Sequence, residues 1–240
     1  MSKHKTPSIV ILAAGKGSRL GGSVPKPLTM LPNNESIMGR QLRNIHKVFE
    51  KAKVNIVVGY KAEEIQDAFP NENYIYSAEY DITNTSKSLY KALKMLPKNK
   101  GVLWFNGDVV FDNDLLWYVQ NRIQKDENFL VTDTKKVSDE EVKYSLNPLT
   151  HLVTKLSKTV PLTEALGEAV GINYINSATL EAFTRELRLV DNNDYFEKGI
   201  ENLIQKYEVP FEVFDISEIN LQAVEVDFSA DLEHAKGVFF

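Results

Sequence analysis

Cysteine is absent from this 240-residue sequence, which excludes disulfides and thiolate zinc sites. Any metal must therefore be held by oxygen or imidazole ligands. Basic residues are outnumbered, with 28 lysines and arginines against 33 aspartates and glutamates and a net charge of −5. This balance argues against nucleic-acid binding, which requires a positive surface.

Long apolar runs are missing as well. The apolar stretch at 8–14 ends in glycines and charged residues and is too short for a secretory signal or a membrane span, so we expect a cytoplasmic protein that does not bind membranes. Hydrophobic residues still make up 43% of the chain, which is enough for a sizeable core. No linker or internal repeat interrupts the chain, and we expect a single domain over 1–240.

Strand patterns alternate with helical patterns in the first half of the chain, which predicts an α/β fold with a mostly parallel sheet covered on both faces. After residue 128 the strand patterns follow one another with little helix between them. They predict a small antiparallel excursion beside a binding cleft and lie at 129–132, 142–146, 149–156 and 169–174. Helices return towards the carboxyl end, with a strand at 221–226 before the last of them.

A glycine-rich loop follows the first predicted strand, and its bare backbone N–H groups are of the kind that bind phosphate. The pair Gly17 and Gly22 has P-loop spacing, but Ser23 and Val24 follow where that motif requires a lysine. A dinucleotide-binding fingerprint would need a third glycine where Leu20 stands. Neither common phosphate motif therefore fits.

Two cations flank this bare backbone, Arg19 and Lys26, and the lysine is fixed between Pro25 and Pro27. Such a pair suits a triphosphate whose inner phosphate is attacked, although a flexible surface loop with incidental charges is the alternative. The pattern L-A-A-G-x-G-x-R followed by P-K-P-L, at 12–19 and 25–28, resembles the signature of the sugar-nucleotidyltransferase-like superfamily, nucleotidyltransferase fold type A.

That resemblance implies a Rossmann-like three-layer α/β/α sandwich, with the nucleotide bound mainly by 1–128 and an acceptor mainly by 129–240. It implies that the loop wraps a nucleoside triphosphate while Arg19 and Lys26 act on its phosphates as catalytic residues. The nucleotide-binding residues that it places in this region are Leu12, Ala13, Ala14, Gly15, Gly17, Ser18, Arg19 and Lys26, and Gly107 is expected to bind the nucleotide as well.

Carboxylates at predicted strand ends could hold Mg²⁺, which neutralises charge on a reacting phosphate. Asp108 follows a buried strand, and Gly107 beside it allows a close backbone approach; Asp227 ends a late strand, with Glu225 on the same face. A turn aspartate and a helix N-cap are the ordinary alternatives. The resemblance implies that Asp108 and Asp227 are catalytic metal ligands, with Glu225 as a third. Asp231 is expected to be an acid in the first turn of the last helix, where it favours the helix dipole.

The stretch NTSKSLYKAL, at 84–93, resembles the corresponding stretch of the phosphocholine and aminoethylphosphonate cytidylyltransferases. The resemblance implies that Asn84, Ser86 and Ser88 form hydrogen bonds to a pyrimidine base. A helix N-cap is the alternative role for Asn84. Segment 153–176 resembles the same enzymes. The implied acceptor-binding residues are Lys158 and Glu168, with Lys155 as a surface charge, and the stretch DNNDYFEKG adds Asp194, Tyr195 and Glu197 as an amine pocket.

Together these features predict a Mg²⁺-dependent nucleotidyltransferase that joins CTP to a small acceptor of the phosphocholine, 2-aminoethylphosphonate or phosphoglutamine type, for surface polysaccharide or lipid decoration. A sugar-1-phosphate nucleotidyltransferase using UTP, dTTP or GTP is the alternative within enzymes. A non-catalytic nucleotide-binding domain is the alternative of another class. The oligomeric state is left as monomer or homodimer.

Overall fold

A computed structural model describes residues 6–17, 24–135 and 137–240. Eleven strands and seven α-helices are found in these ranges. The strands are β1 (Ser8–Ala13), β2 (Val54–Val58), β3 (Asn73–Tyr76), β4 (Val102–Asn106), β5 (Val109–Phe111), β6 (Phe129–Asp133), β7 (Lys143–Leu146), β8 (Val153–Ser157), β9 (Gly167–Ile175), β10 (Glu212–Asp215) and β11 (Ala223–Glu225). The helices are α1 (Ile37–Val48), α2 (Ala62–Ala68), α3 (Thr85–Met95), α4 (Leu115–Ile123), α5 (Leu180–Leu189), α6 (Phe196–Tyr207) and α7 (Ser229–Phe239).

The main sheet has the strand order β10-β6-β9-β4-β1-β2-β3. β1 pairs in parallel with β2 and β4, and β3 extends the parallel half. β9 runs antiparallel between β4 and β6, while β7 and β8 form the side ribbon beside it. The mostly parallel sheet and the antiparallel excursion predicted after residue 128 are therefore confirmed.

Helices cover both faces of this sheet, because successive side chains of a strand point to opposite sides. Ile9 and Ile11 of β1 are buried with residues of α1, α2 and α4. Val10 and Leu12 are buried with residues of α3, α5 and α6. This arrangement is the predicted three-layer α/β/α sandwich. Within the described ranges, no helix is long and apolar enough to span a membrane.

A second sheet contains two strands, β5 and β11, and their pairing was not predicted. The late strand predicted at 221–226 is shorter, as β11, and pairs antiparallel with β5, a three-residue strand that was not predicted. α7 packs on this ribbon through Ala235, near Val110 and Val224. The ribbon brings two distant parts of the chain together, since the Val226 N–H donates to the Asp108 carbonyl at 3.0 Å.

Candidate active site

A cleft of about 740 Å³ opens beyond the carboxyl ends of β1 and β4. Residues from both halves of the chain line it. The lining includes these residues singled out in the sequence: Leu12, Ala13, Gly15, Gly17, Lys26, Asn84, Gly107, Asp108, Lys158, Glu168, Tyr195, Glu197, Glu225 and Asp227. Parallel strands direct their carboxyl ends to one edge of a sheet, so a site at this edge follows from the topology.

Two glycines allow the backbone to come close in the floor of the cleft. Gly17 has φ +58°, and a Cβ there would lie 2.7 Å from the Lys26 Cβ. Gly107 donates its N–H to the Leu12 carbonyl at 2.9 Å, and a Cβ would lie 2.7 Å from the same oxygen. Only glycine fits at 107, and this close approach fixes the position of the next residue, Asp108.

Other predicted residues of the loop stand apart from this lining. Ala14 is buried and its carbonyl accepts the N–H of Tyr60 at 3.0 Å, so it supports the loop from outside the cleft surface. Ser18 and Arg19 lie outside the described residues.

Lys26 joins the two predicted metal-binding aspartates. Its Nζ donates to Asp108 Oδ2 at 2.5 Å and also contacts Asp227 Oδ1. The lysine begins a short 3₁₀ turn, Lys26–Leu28, and the prolines on either side of it, Pro25 and Pro27, restrict the backbone. Burial by itself would lower the pKa of Lys26, but the two carboxylates outweigh it and the pKa is raised.

A third carboxylate completes this acidic end of the cleft. Glu225 Oε1 accepts from Asn106 Nδ2 at 3.0 Å. Although much of the side chain is exposed to cleft solvent, desolvation within the cleft and repulsion by Asp108 and Asp227 raise the pKa of Glu225. Asp227 is not the N-cap of α7, which begins at Ser229.

Asp231 in the first turn of α7 holds this segment in place. Its Oδ2 accepts the N–H groups of Asp227 and Phe228, at 3.0 and 2.7 Å. The expected first-turn acid is therefore observed, and it fixes the backbone that carries Asp227.

The donor set suits a hard cation even though Lys26 lies between the aspartates. Asp108 Oδ1 is buried and has no hydrogen-bond partner in the structure, so one carboxylate oxygen is left to coordinate. Two carboxylates with phosphate oxygens are a usual environment for Mg²⁺. Among the described residues, no group of three or more acidic or histidine side chains is arranged to hold a metal ion.

The residues predicted to read a pyrimidine divide into two groups. Asn84 lines the cleft, but its Oδ1 accepts the Thr85 N–H at 2.8 Å as an N-cap, and its Nδ2 donates to the Asn193 carbonyl at 3.2 Å. Ser86 and Ser88 are buried on the inner side of α3 and are not among the lining residues. The two serines are two residues apart and so lie on different sides of α3, and both are buried because α5, α6 and the sheet all pack against this helix.

Lys158, Tyr195 and Glu197 lie near one another in the lining of the cleft. Lys158 Nζ lies 5.4 Å from the centre of the Tyr195 ring. Burial raises the pKa of Glu197 to about 7, and attraction to Lys158 offsets only part of that effect. Lys155 instead pairs on the surface with Glu164 at 2.5 Å.

Glu168 and Asp194 occupy different settings. Glu168 lines the cleft and pairs with Lys135 at 2.6 Å. Burial raises the pKa of Glu168 despite this partner. Asp194 is not among the lining residues, and its carboxylate accepts the Asp191 N–H at 2.9 Å in the turn before α6.

Sequence reasoning missed several lining residues, mainly in the segment before β7. Lys135, Ser138, Glu140 and Glu141 line the cleft there, and no motif marks them in the sequence. The fully buried Lys143 holds this segment. Its Nζ donates to the carbonyls of Ser138 at 3.1 Å and of Lys158 at 2.5 Å.

Solved structures share this fold over almost the whole chain. The CTP:phosphocholine cytidylyltransferase LicC from Streptococcus pneumoniae superposes with a TM-score of 0.69 at 16% identity, covering 96% of this chain and 98% of LicC. A UDP-glucose pyrophosphorylase complexed with UDP-glucose gives a TM-score of 0.76 at 10% identity, covering 96% and 97% of the two chains. At these identities the likeness confirms the predicted fold.

Sequence comparison identifies the family. The bifunctional protein GlmU of Ruthia magnifica subsp. Calyptogena magnifica is 31% identical over 100 residues, which is 42% of this chain and 22% of GlmU. The chain thus spans less than a quarter of the length of the curated relatives it matches. The profile of the MobA-like NTP transferase domain matches residues 9–183, from β1 into α5. The chain therefore belongs to the MobA-like NTP transferase domain family, in agreement with the nucleotidyltransferase class predicted from its loop.

Proposed function

We propose that this protein transfers a cytidylyl group from CTP to a small phosphorylated or phosphonylated acceptor and releases pyrophosphate. The observation that carries the proposal is the contact of Lys26 with both Asp108 and Asp227 in a cleft that is also lined by glycines of the loop after β1 and by Gly107. A cation and two carboxylates beside exposed backbone are the groups that nucleotidyl transfer requires.

In this proposal the first half of the chain binds the nucleotide and the second half binds the acceptor. Residues 1–128 supply the loop, Lys26 and Asp108 for the nucleotide, and 129–240 supply Lys158 and its neighbours for the acceptor. Arg19 is assigned to the departing phosphates and Lys26 to the reacting one. For the base, Asn84 is the only one of the three predicted contacts that lines the cleft.

The chemistry needs no nucleophile from the enzyme. An oxygen of the acceptor's phosphate or phosphonate attacks the α-phosphorus, a new P–O bond forms, and the bond to the bridging oxygen of pyrophosphate breaks. Lys26 offsets charge on the α-phosphate, and Lys158 draws in the acceptor's anion. Positioning and electrostatic stabilisation then account for the rate.

Mg²⁺ is the cofactor of this proposal. Asp108 and Asp227 would hold it, with Glu225 as a third candidate, after Lys26 moves from between the two aspartates towards phosphate. The ion would neutralise charge on the triphosphate when bound. The unpartnered Asp108 Oδ1 and the convergence of two carboxylates support this assignment.

The test is pyrophosphate release by the whole chain with CTP, UTP, dTTP or GTP, each against phosphocholine, phosphoethanolamine, 2-aminoethylphosphonate, a phosphorylated amide and glucose 1-phosphate. CTP with a phospho or phosphono acceptor should give turnover. Turnover confined to UTP, dTTP or GTP with glucose 1-phosphate would replace the proposal with a sugar-1-phosphate enzyme, a possibility raised by the UDP-glucose pyrophosphorylase neighbour. Nucleotide binding without turnover in any combination would indicate a regulatory domain.

A further inference from the structure

Glu197 presents a buried carboxylate oxygen that lacks a partner. The residue is only 7% exposed, lies in the first turn of α6 and lines the cleft. Its Oε2 is buried without a hydrogen bond in the structure. An unsatisfied buried acceptor is destabilising, so this oxygen is suited to a donor supplied by a ligand.

The aromatic rings beside Glu197 are already engaged. Lys158 Nζ lies 5.4 Å from the centre of the Tyr195 ring. Phe196 is 1% exposed and packs edge-on against Trp104, with ring centres 5.5 Å apart. A quaternary ammonium is held by several open aromatic faces, whereas here Phe196 is buried and the single exposed ring, Tyr195 at 41%, already has Lys158 over it.

A carboxylate oxygen accepts its strongest hydrogen bonds from a donor that is itself cationic. Glu140, Glu141 and Glu168 line the same cleft, and of these three Glu168 already pairs with Lys135. A primary ammonium carries N–H donors that a trimethylammonium lacks. Loss of the last N–H would leave Glu197 Oε2 as unsatisfied as it is in the free protein.

We infer that the acceptor carries an N–H-bearing nitrogen, a primary ammonium above all, that donates to Glu197 Oε2, and that the site discriminates against a trimethylated nitrogen. The inference rests on the proposed function, because the anionic end of the acceptor is taken to lie towards Lys158. It narrows the substrate class from choline-like or amine-like acceptors to small zwitterions with an N–H group.

A methylation series tests this without turnover. Phosphoethanolamine, its N-methyl and N,N-dimethyl derivatives and phosphocholine are titrated by calorimetry into the full-length protein with Mg²⁺ and the non-reactive α,β-methylene analogue of CTP. Phosphoethanolamine should bind at least about tenfold more tightly than phosphocholine, with the largest step at the loss of the last N–H.

Substitutions of Glu197 and of a second glutamate on α6 test whether Glu197 causes the preference for phosphoethanolamine over phosphocholine. Glu197→Leu should bring the ratio of the two dissociation constants close to one, whereas Glu197→Gln should weaken phosphoethanolamine through loss of charge. Glu201→Gln is the matched control: Glu201 lies one turn along α6, is 9% exposed and pairs with Lys198. It should keep the wild-type ratio.

Three results would overturn the inference: equal or tighter binding of phosphocholine, an unchanged ratio in folded Glu197→Leu, or no binding of any N–H compound. These results are separate from failure of the proposed function. That failure is the lack of pyrophosphate release for every pair of nucleotide and acceptor, whereas the calorimetric series requires only binding.

Discussion

Lys26 Nζ donates to Asp108 Oδ2 at 2.5 Å, although the two residues are 82 positions apart in the chain. The same ammonium contacts Asp227, so one side chain neutralises both proposed metal ligands. We therefore expect the lysine and a divalent ion to compete for the same carboxylates.

Lys26→Met removes this internal cation and leaves two carboxylates facing each other. We expect the variant to bind Mn²⁺ about tenfold more tightly than the wild type in the absence of nucleotide, since charge-assisted hydrogen bonds contribute about 1.5–3 kcal/mol. Free Mn²⁺ measured by electron paramagnetic resonance gives the affinity. Lys155→Met, at a surface pair with Glu164, should leave it unchanged. Equal or weaker Mn²⁺ binding by Lys26→Met would contradict the competition.

Lys143 is expected to position the acceptor end of the cleft without touching the substrate. Lys143→Met removes the donor to the carbonyls of Ser138 and Lys158 while keeping the length of the side chain. We expect KM for the acceptor to rise about tenfold, equivalent to about 1.4 kcal/mol, with KM for the nucleotide unchanged. Steady-state kinetics that vary each substrate in turn will separate the two. An equal rise in both constants would indicate a general effect on folding.

Glu197 gives the protein a predictable dependence of stability on pH. Its pKa in the folded state is about 7, above the ordinary 4.5, so the folded protein binds this proton more tightly than the unfolded chain. Stability contributed by the proton is present below pH 4.5 and is lost as pH rises towards 7. Burial raises this pKa, while a backbone hydrogen bond and attraction to Lys158 offset part of the rise.

The Tm of the wild type should fall between pH 5 and pH 8 as Glu197 loses its proton. Glu197→Gln cannot ionise, so its Tm should fall less over this range and should be higher than that of the wild type at pH 8. Calorimetric melting at steps of half a pH unit measures both curves. Glu225, whose pKa is also raised, contributes a fall that both proteins share. Parallel curves for the two proteins would show that Glu197 does not titrate in this range.

The layers of the fold followed from local patterns, because strand and helix periods are encoded in neighbouring residues. The alternation through β4 predicted the parallel half, and the strands after residue 128 predicted the antiparallel one. The pairing of β5 with β11 could not be predicted in this way, because three-residue strands far apart in sequence carry almost no periodic signal.

The site was predictable only where a motif marked it. The P-K-P-L element and the aspartates at strand ends pointed to Lys26, Asp108 and Asp227, which the structure brings together. Ser86 and Ser88 show the limit of a local motif, since the burial of α3 turns them towards the core. Lys135 lines the cleft because of the direction in which the chain leaves β6. No local sequence pattern reveals that direction.

The most direct test of the proposed activity is pyrophosphate release from CTP and the best acceptor of the panel, compared between the wild type and Asp108→Asn. The variant keeps the size of the side chain and loses its charge, so it should fold with unchanged circular dichroism and turn over about 10²–10³-fold more slowly. Asp194→Asn, in the turn before α6 and outside the cleft lining, is the matched control. Wild-type turnover in folded Asp108→Asn would contradict the proposed role of the aspartate pair.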